Sequence, residues 1–151
     1  VALAKQLSAH KIDREYRAIV WGHLKEKSGR VEAAIGRHPK DRTKQRIDPS
    51  GKHAVTNYEV LDESTFASFI KLNLETGRTH QIRVHTSAND HPILGDDKYM
   101  ARDREADSTR SMPEIPRLCL HAKRLVIPLG QDLLKVSAPV DVKMEEIWSQ
   151  F

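Results

Sequence analysis

Alternation of apolar and polar side chains at period two constrains this chain more than any other feature. In residues 14–22, Tyr16, Ala18 and Val20 alternate with Glu15, Arg17 and Ile19 before a glycine, and the pattern returns in residues 54–61, 65–74, 118–128 and 133–138. Successive side chains of a strand point to opposite faces, so such runs bury one face of a sheet against a neighbour. Asp62, Glu63 and Ser64 separate the second and third runs and read as the turn of an antiparallel pair. Residues 31–35 suit a further short strand.

Three stretches leave this period. Residues 1–11 place Leu3 and Leu7 on one helical face. Thr79 can cap a helix running to about Asn89, which must stop before His91-Pro92 because the residue before proline avoids the α region. Asp141 caps a closing helix to Phe151. Residues 36–51 are polar and glycine-bounded, a working loop or hairpin, and the charged residues 101–116 read as a mobile surface loop. The order predicts an α+β fold: a mixed, largely antiparallel sheet with flanking helices, and not a Rossmann-type alternation.

At 151 residues the chain is one domain or a large piece of one. No apolar run approaches the ~18 residues of a membrane-spanning helix. The single cysteine, Cys119, excludes an internal disulfide and fits a reducing compartment, the cytoplasm. Lys and Arg number 25 against 21 Asp and Glu, a net +4 compatible with a polyanionic partner. Residue 1 is Val, and its helix opens without a capping side chain, so the start reads as a helix joined part-way along. Residues upstream of Val1 are expected to belong to the same functional unit.

The densest polar constellation is Glu75-Thr76-Gly77-Arg78-Thr79-His80-Gln81-Ile82-Arg83-Val84-His85, where a strand gives way to a helix N-terminus. Glycine permits the sharp turn, and free amides at a helix start favour an anion. On a helix Arg78, Gln81 and His85 share roughly one face, while His80 and Arg83 share another. His80 and His85 stand about 140° apart around a helix, which is not the one-face pair of zinc helices, so no metal is expected. Two histidines as acid and base would also suit a ribonuclease.

This string, continued through Ala88 and His91-Pro92-Ile93-Leu94-Gly95-Asp96-Asp97-Lys98-Tyr99, closely resembles the signature of the RluA/RluD family of RNA pseudouridine synthases. Residues 14–22 look like the family's tyrosine strand, Leu118-Cys119-Leu120-His121-Ala122-Lys123-Arg124-Leu125 resembles its Leu-His-Ala strand, and Arg37-His38-Pro39 stands in a family-like place. A ribonuclease reading explains neither strand.

The resemblance implies an enzyme, without cofactor or metal, that isomerises uridine in ribosomal or transfer RNA by breaking the N1–C1′ bond and re-forming it through C5. It implies that Tyr16 packs against the target base and that Arg83 pairs with the catalytic aspartate, both facing one hollow. The family's aspartate lies in a Gly-Arg-Leu-Asp-like motif before the tyrosine strand, and no aspartate of this chain stands in that context. The chain is therefore expected to be the C-terminal portion of the catalytic domain, inactive alone and partnered by the N-terminal part of the same protein. Asp96 and Asp97 read as turn residues with structural hydrogen bonds.

Arg78, His80, Gln81 and His85 are expected to contact RNA or to orient the site. An extruded base costs a few kcal/mol, which phosphate contacts supply. Residues 36–46 carry Arg37, Lys40, Arg42, Lys44 and Arg46 against the single Asp41, the best candidate for those contacts. The competing class is an RNA-binding module on the same scaffold with no chemistry of its own.

Overall fold

The period-two runs assemble into one antiparallel sheet. The computed structural model describes residues 12–99, 115–139 and 141–151. In chain order its elements are β1 (Asp13–Trp21), β2 (Ser28–Glu32), β3 (Ile35–Arg37), β4 (Gln45–Ile47), β5 (Val55–Glu63), β6 (Ala67–Leu74), α1 (Gln81–Ala88), β7 (Leu120–Leu129), β8 (Asp132–Ser137) and α2 (Val142–Ser149). Six strands lie in the order β2-β5-β6-β1-β7-β8, and β3 pairs with β4 in a separate hairpin. Every strand pairing among the described residues is antiparallel, so the fold is α+β as expected. The helix expected over residues 1–11 lies outside the described residues. So does the loop expected over 101–116, apart from its last two residues.

Register fixes what each face carries. Tyr16 pairs with Leu72 and Ala18 with Ile70, while Thr56 pairs with Leu74 and Tyr58 with Leu72. One face therefore presents Arg14, Tyr16, Ala18 and Val20 beside Ile70, Leu72, Leu74, Thr56 and Tyr58, and α1 packs on it through hydrogen bonds that join Thr56 to both Gln81 and His85. On the opposite face α2 sets Trp148 against Phe69, with ring centroids 5.7 Å apart, and Trp148 Nε1 donates to Asp62 Oδ2. Ile70, Leu72 and Ile82 are buried on the first side and Ile19, Met144 and Ile147 on the second. Full burial of one such side chain contributes about 1.5–3 kcal/mol. Asp141 caps α2 as expected, accepting from the Met144 amide at 3.2 Å.

Several boundaries differ from the sequence reading. Residues 31–35 do not make one strand, because β2 pairs with β5 while β3 turns away to pair with β4. β5 continues through Glu63 past a bulge between Val60 and Asp62, and the turn moves to Ser64, whose hydroxyl accepts from the Ala67 amide. The helix expected from Thr79 begins at Gln81, for the reason given below. Among the described residues the pairing of β7 with β1 ends at Val126, and Pro128 beyond it faces Leu133 of β8. Cys119 is fully buried, and burial pushes its thiol up to about 11, so it stays protonated and inert.

Candidate active site

The turn from β6 into α1 is organised by side chains that also close a buried polar web. His80, at the N-cap, adopts a left-handed conformation (φ 55°) and makes no side-chain cap bond. Thr79 is not the cap because the left-handed His80 interrupts the helical geometry, so the helix opens only at Gln81, whose Oε1 braces the preceding turn by accepting from the Arg78 amide at 3.0 Å and from the Thr76 hydroxyl at 2.6 Å. Gln81 Nε2 donates to Val55 O and Thr56 Oγ1, and Thr76 Oγ1 accepts from the Val55 amide. His85 Nε2 faces the Ala33 carbonyl at 2.9 Å and must carry the proton, which leaves Nδ1 to accept from the Thr56 hydroxyl at 2.8 Å. Gln81 and His85 are thus buried, with their side-chain polar atoms answered internally. Of the two roles expected for them, RNA contact or orientation, their placement fits orientation.

This web has a pH signature. Burial lowers the His85 pKa, partly offset by the Ala33 carbonyl, and burial followed by Arg83 and Lys98 lowers that of His80. The unfolded chain, with imidazoles titrating near pH ~6.5, then binds protons that the native state refuses. Stability is complete above that value and falls as pH drops through it toward 5. Urea midpoints measured from pH 8 to 5 should decline in this window, before the carboxylates titrate, and a flat profile would show that neither imidazole is held neutral.

Arg83, on the same helix, is fixed by a different set of partners. Its Nε donates to Asp96 Oδ2 at 3.0 Å and its Nη2 to Oδ1 at 2.8 Å, a bidentate pair with a fully buried carboxylate. Asp96 Oδ1 also accepts from the Lys98 and Tyr99 amides at 3.1 and 3.2 Å. Gly95 makes this placement possible: it has φ 79°, and a Cβ there would lie 2.1 Å from the Arg117 carbonyl oxygen. The Arg83 guanidinium carbon stands 5.1 Å from the centroid of the Tyr99 ring. Tyr99 Oη accepts from the Gln45 amide at 2.9 Å and meets His80 Nδ1 at 2.8 Å. Arg83 Nη1 has no hydrogen-bond partner among the described residues.

His80 and Arg83 therefore do converge, on Tyr99, and Gln81 and His85 converge on Thr56. The Gln45 bond adds a link that no local pattern announces, since it fastens the β3–β4 hairpin to the Arg83 cluster. In that hairpin Arg37, Lys40, Arg42 and Arg46 are exposed and Lys44 is half-buried. His38 Nδ1 accepts the amides of Lys40 and Asp41, and Asp41 holds Thr43, so the tip is internally braced while its cations face outward. Arg78 lies just before α1, with its Nε on the His53 carbonyl at 2.8 Å.

Tyr16 is half-buried on the sheet face that α1 covers. Beside it the register of β7 slips, Glu15 facing Arg124 and Tyr16 facing Ala122, a bulge of the kind that re-aims a side chain. A hollow of about 850 Å³ opens on this face between Tyr58, Leu72, His85 and His91, one strand beyond Tyr16. Neither Tyr16 nor Arg83 lines it, so it is not the shared hollow expected for that pair.

Comparison with known proteins agrees with this geometry. A family model described as RNA pseudouridylate synthase matches residues 1–88. The chain is 43% identical over 123 residues to the ribosomal large subunit pseudouridine synthase D of Nitrosomonas europaea, covering 82% of this chain and 36% of that protein. It is 38% identical over 152 residues to the protein of the same name from Pasteurella multocida, covering 96% and 47%. The chain thus spans less than half the length of these curated relatives. Among solved structures, human RNA pseudouridylate synthase domain containing 1 superposes with a TM-score of 0.77 at 29% identity, covering 91% of this chain and 58% of that one. The polar string around Arg83, the tyrosine strand and the sheet that joins them place the chain in the RNA pseudouridylate synthase family, in its RluA/RluD branch.

Proposed function

We propose that the protein carrying this chain isomerises uridine to pseudouridine in structured ribosomal or transfer RNA, and that the chain is the C-terminal portion of its catalytic domain. The observation that carries this is the Arg83 guanidinium, held by Asp96 and Tyr99 with Nη1 unengaged among the described residues, on the helix that covers the Tyr16 face. In this reading the preceding part of the protein supplies an ionised carboxylate, which Arg83 orients and keeps deprotonated. Tyr16 offers a flat phenol to the extruded uracil, a stack worth about 1–3 kcal/mol. The N1–C1′ bond breaks, C5 bonds to C1′, the C5 proton leaves and N1 is protonated, so the product is an isomer. Tritium release from C5-labelled uridine in ribosomal RNA by the full-length protein tests the reading, with this chain alone expected to release none. Tight RNA binding without tritium release from the full-length protein would favour a non-catalytic RNA-binding module.

The exposed cations of the β3–β4 hairpin are assigned to phosphate contacts, with Arg78 and His80 nearer the turn. Replacing Arg42, Lys44 and Arg46 together by Ala should reduce the slope of log affinity against log salt by roughly one unit per lost phosphate contact. An unchanged slope would place the hairpin away from the RNA.

A further inference from the structure

Among the described residues, two buried side-chain polar atoms find no hydrogen-bond partner, Arg14 Nη1 and Trp21 Nε1. Trp21 carries a neutral indole on the α2 side of the sheet, against Phe151. Arg14 carries a charge. It is 7% exposed and stands on the same face as Tyr16, opposite Leu74, where β6 ends and the chain turns through Gly77 and Arg78 toward α1. Among the described residues no carboxylate pairs with it; burial lowers its pKa, against a raising influence of Tyr16, and Arg78 beside it lowers it further.

The surroundings are shaped for this guanidinium. Gly77 is exposed, and a Cβ at that position would lie 3.1 Å from Arg14 Cζ and 3.2–3.3 Å from its two Nη atoms, so the bare turn lets the fork come up beneath the surface. Arg78 spends its Nε on the His53 carbonyl, and its Nη atoms have no hydrogen-bond partner among the described residues. Among the described residues neither of these two guanidinium groups, one of them buried, is matched by an acid, an arrangement suited to the oxygens of an anion.

We propose that Arg14, with Arg78 beside it, binds a phosphodiester of the substrate RNA, the one flanking the uridine that stacks on Tyr16. This rests on the isomerase reading above. Arg14 and Tyr16 are successive residues on one strand face, about 7 Å apart along the strand, and a nucleotide's phosphate lies one sugar away from its base. A planar fork suits phosphate oxygens, which accept without needing to be protonated or desolvated by a second protein group. The arrangement would hold the sugar between base and phosphate, which is where the glycosidic bond must be re-formed.

The test uses the full-length protein and a large-subunit ribosomal RNA fragment carrying its target uridine, with a neutral methylphosphonate placed at either phosphate flanking that uridine. With wild type, one of the two replacements should raise KM about tenfold or more in the tritium-release assay. Arg14→Met should raise KM on unmodified RNA and show no additional penalty from the same methylphosphonate, and Arg14→Lys should fall between. Wild-type turnover indifferent to both methylphosphonates overturns the proposal, and so do effects of Arg14→Met and methylphosphonate that multiply. If Arg14→Met does not fold, Arg14→Lys carries the comparison, and a methylphosphonate penalty as large as in wild type overturns the assignment to Arg14. Absence of tritium release on every ribosomal and transfer RNA tested overturns the isomerase reading itself, a different outcome from turnover that ignores the phosphates.

Discussion

Arg83→Ala is expected to lower single-turnover isomerisation by the full-length protein by about two to three orders of magnitude, the range seen when one preorganised electrostatic donor is deleted from a reaction centre. The reasoning starts from the fork. Two of its nitrogens are committed to Asp96, its face lies over Tyr99, and Nη1, without a partner among the described residues, is left for the carboxylate that the proposed chemistry requires. Without it that carboxylate loses both its direction and the charge that keeps it ionised. Arg83→Ala also strips a fully buried Asp96 of its counter-ion, a change that destabilises by about 3–5 kcal/mol. Turnover must therefore be counted per folded molecule, well below the shifted midpoint. Arg83→Lys separates the two effects: an ammonium keeps the charge beside Asp96 and recovers part of the stability, but it cannot hold a bidentate pair and a stacked plane together, so turnover stays low. Full turnover by folded Arg83→Ala would remove Arg83 from the reaction centre.

Much of the sheet was legible because its information is local. Period two in β1, β5 and β6 and the polar turn between the last two specify a face and a neighbour at once, and Asp141 announces α2 through a cap that depends only on the amide of Met144. The failures share a different cause. Nothing within Val31-Glu32-Ala33-Ala34-Ile35 marks that its first part pairs with β5 and its end with β4. Thr79 is a good cap by itself, yet His80 is left-handed where it meets Tyr99, and the helix opens after it at Gln81, which braces Arg78, Thr76, Val55 and Thr56.

The candidate site divides in the same way. The string around Arg83 could be recognised, whereas the bond from the Gln45 amide to Tyr99 joins residues 54 apart and follows only from the folded chain. Arg14 did leave a trace. It shares the parity of Tyr16, Ala18 and Val20, a cation on the apolar side of an alternating strand, and that is the pattern that marks a buried charge in want of a partner.

Asp96 distinguishes a turn residue from an anchor for Arg83, and Asp96→Asn decides between them. If its task were only to receive the Lys98 and Tyr99 amides, asparagine would do it equally well, since an amide oxygen accepts those bonds and asparagine is favoured in such turns. Stability would then change by less than about 0.5 kcal/mol. The bidentate pair predicts otherwise. With the oxygen kept on the backbone amides, the Asn Nδ2 would face Arg83 Nε, donor against donor, in a place no water-exposed rotamer relieves because Asp96 is fully buried. The expected loss is about 3–5 kcal/mol, read as a lower denaturant midpoint with an unchanged slope. Turnover per folded molecule should fall as well, through a guanidinium no longer held over the Tyr99 ring. Combining Asp96→Asn with Arg83→Met should give back part of the stability, since no charge is then left unpaired, while restoring none of the turnover. A stability cost that is fully additive across the two substitutions would mean that the pair is not coupled, and that Arg83 takes its orientation from Tyr99 alone.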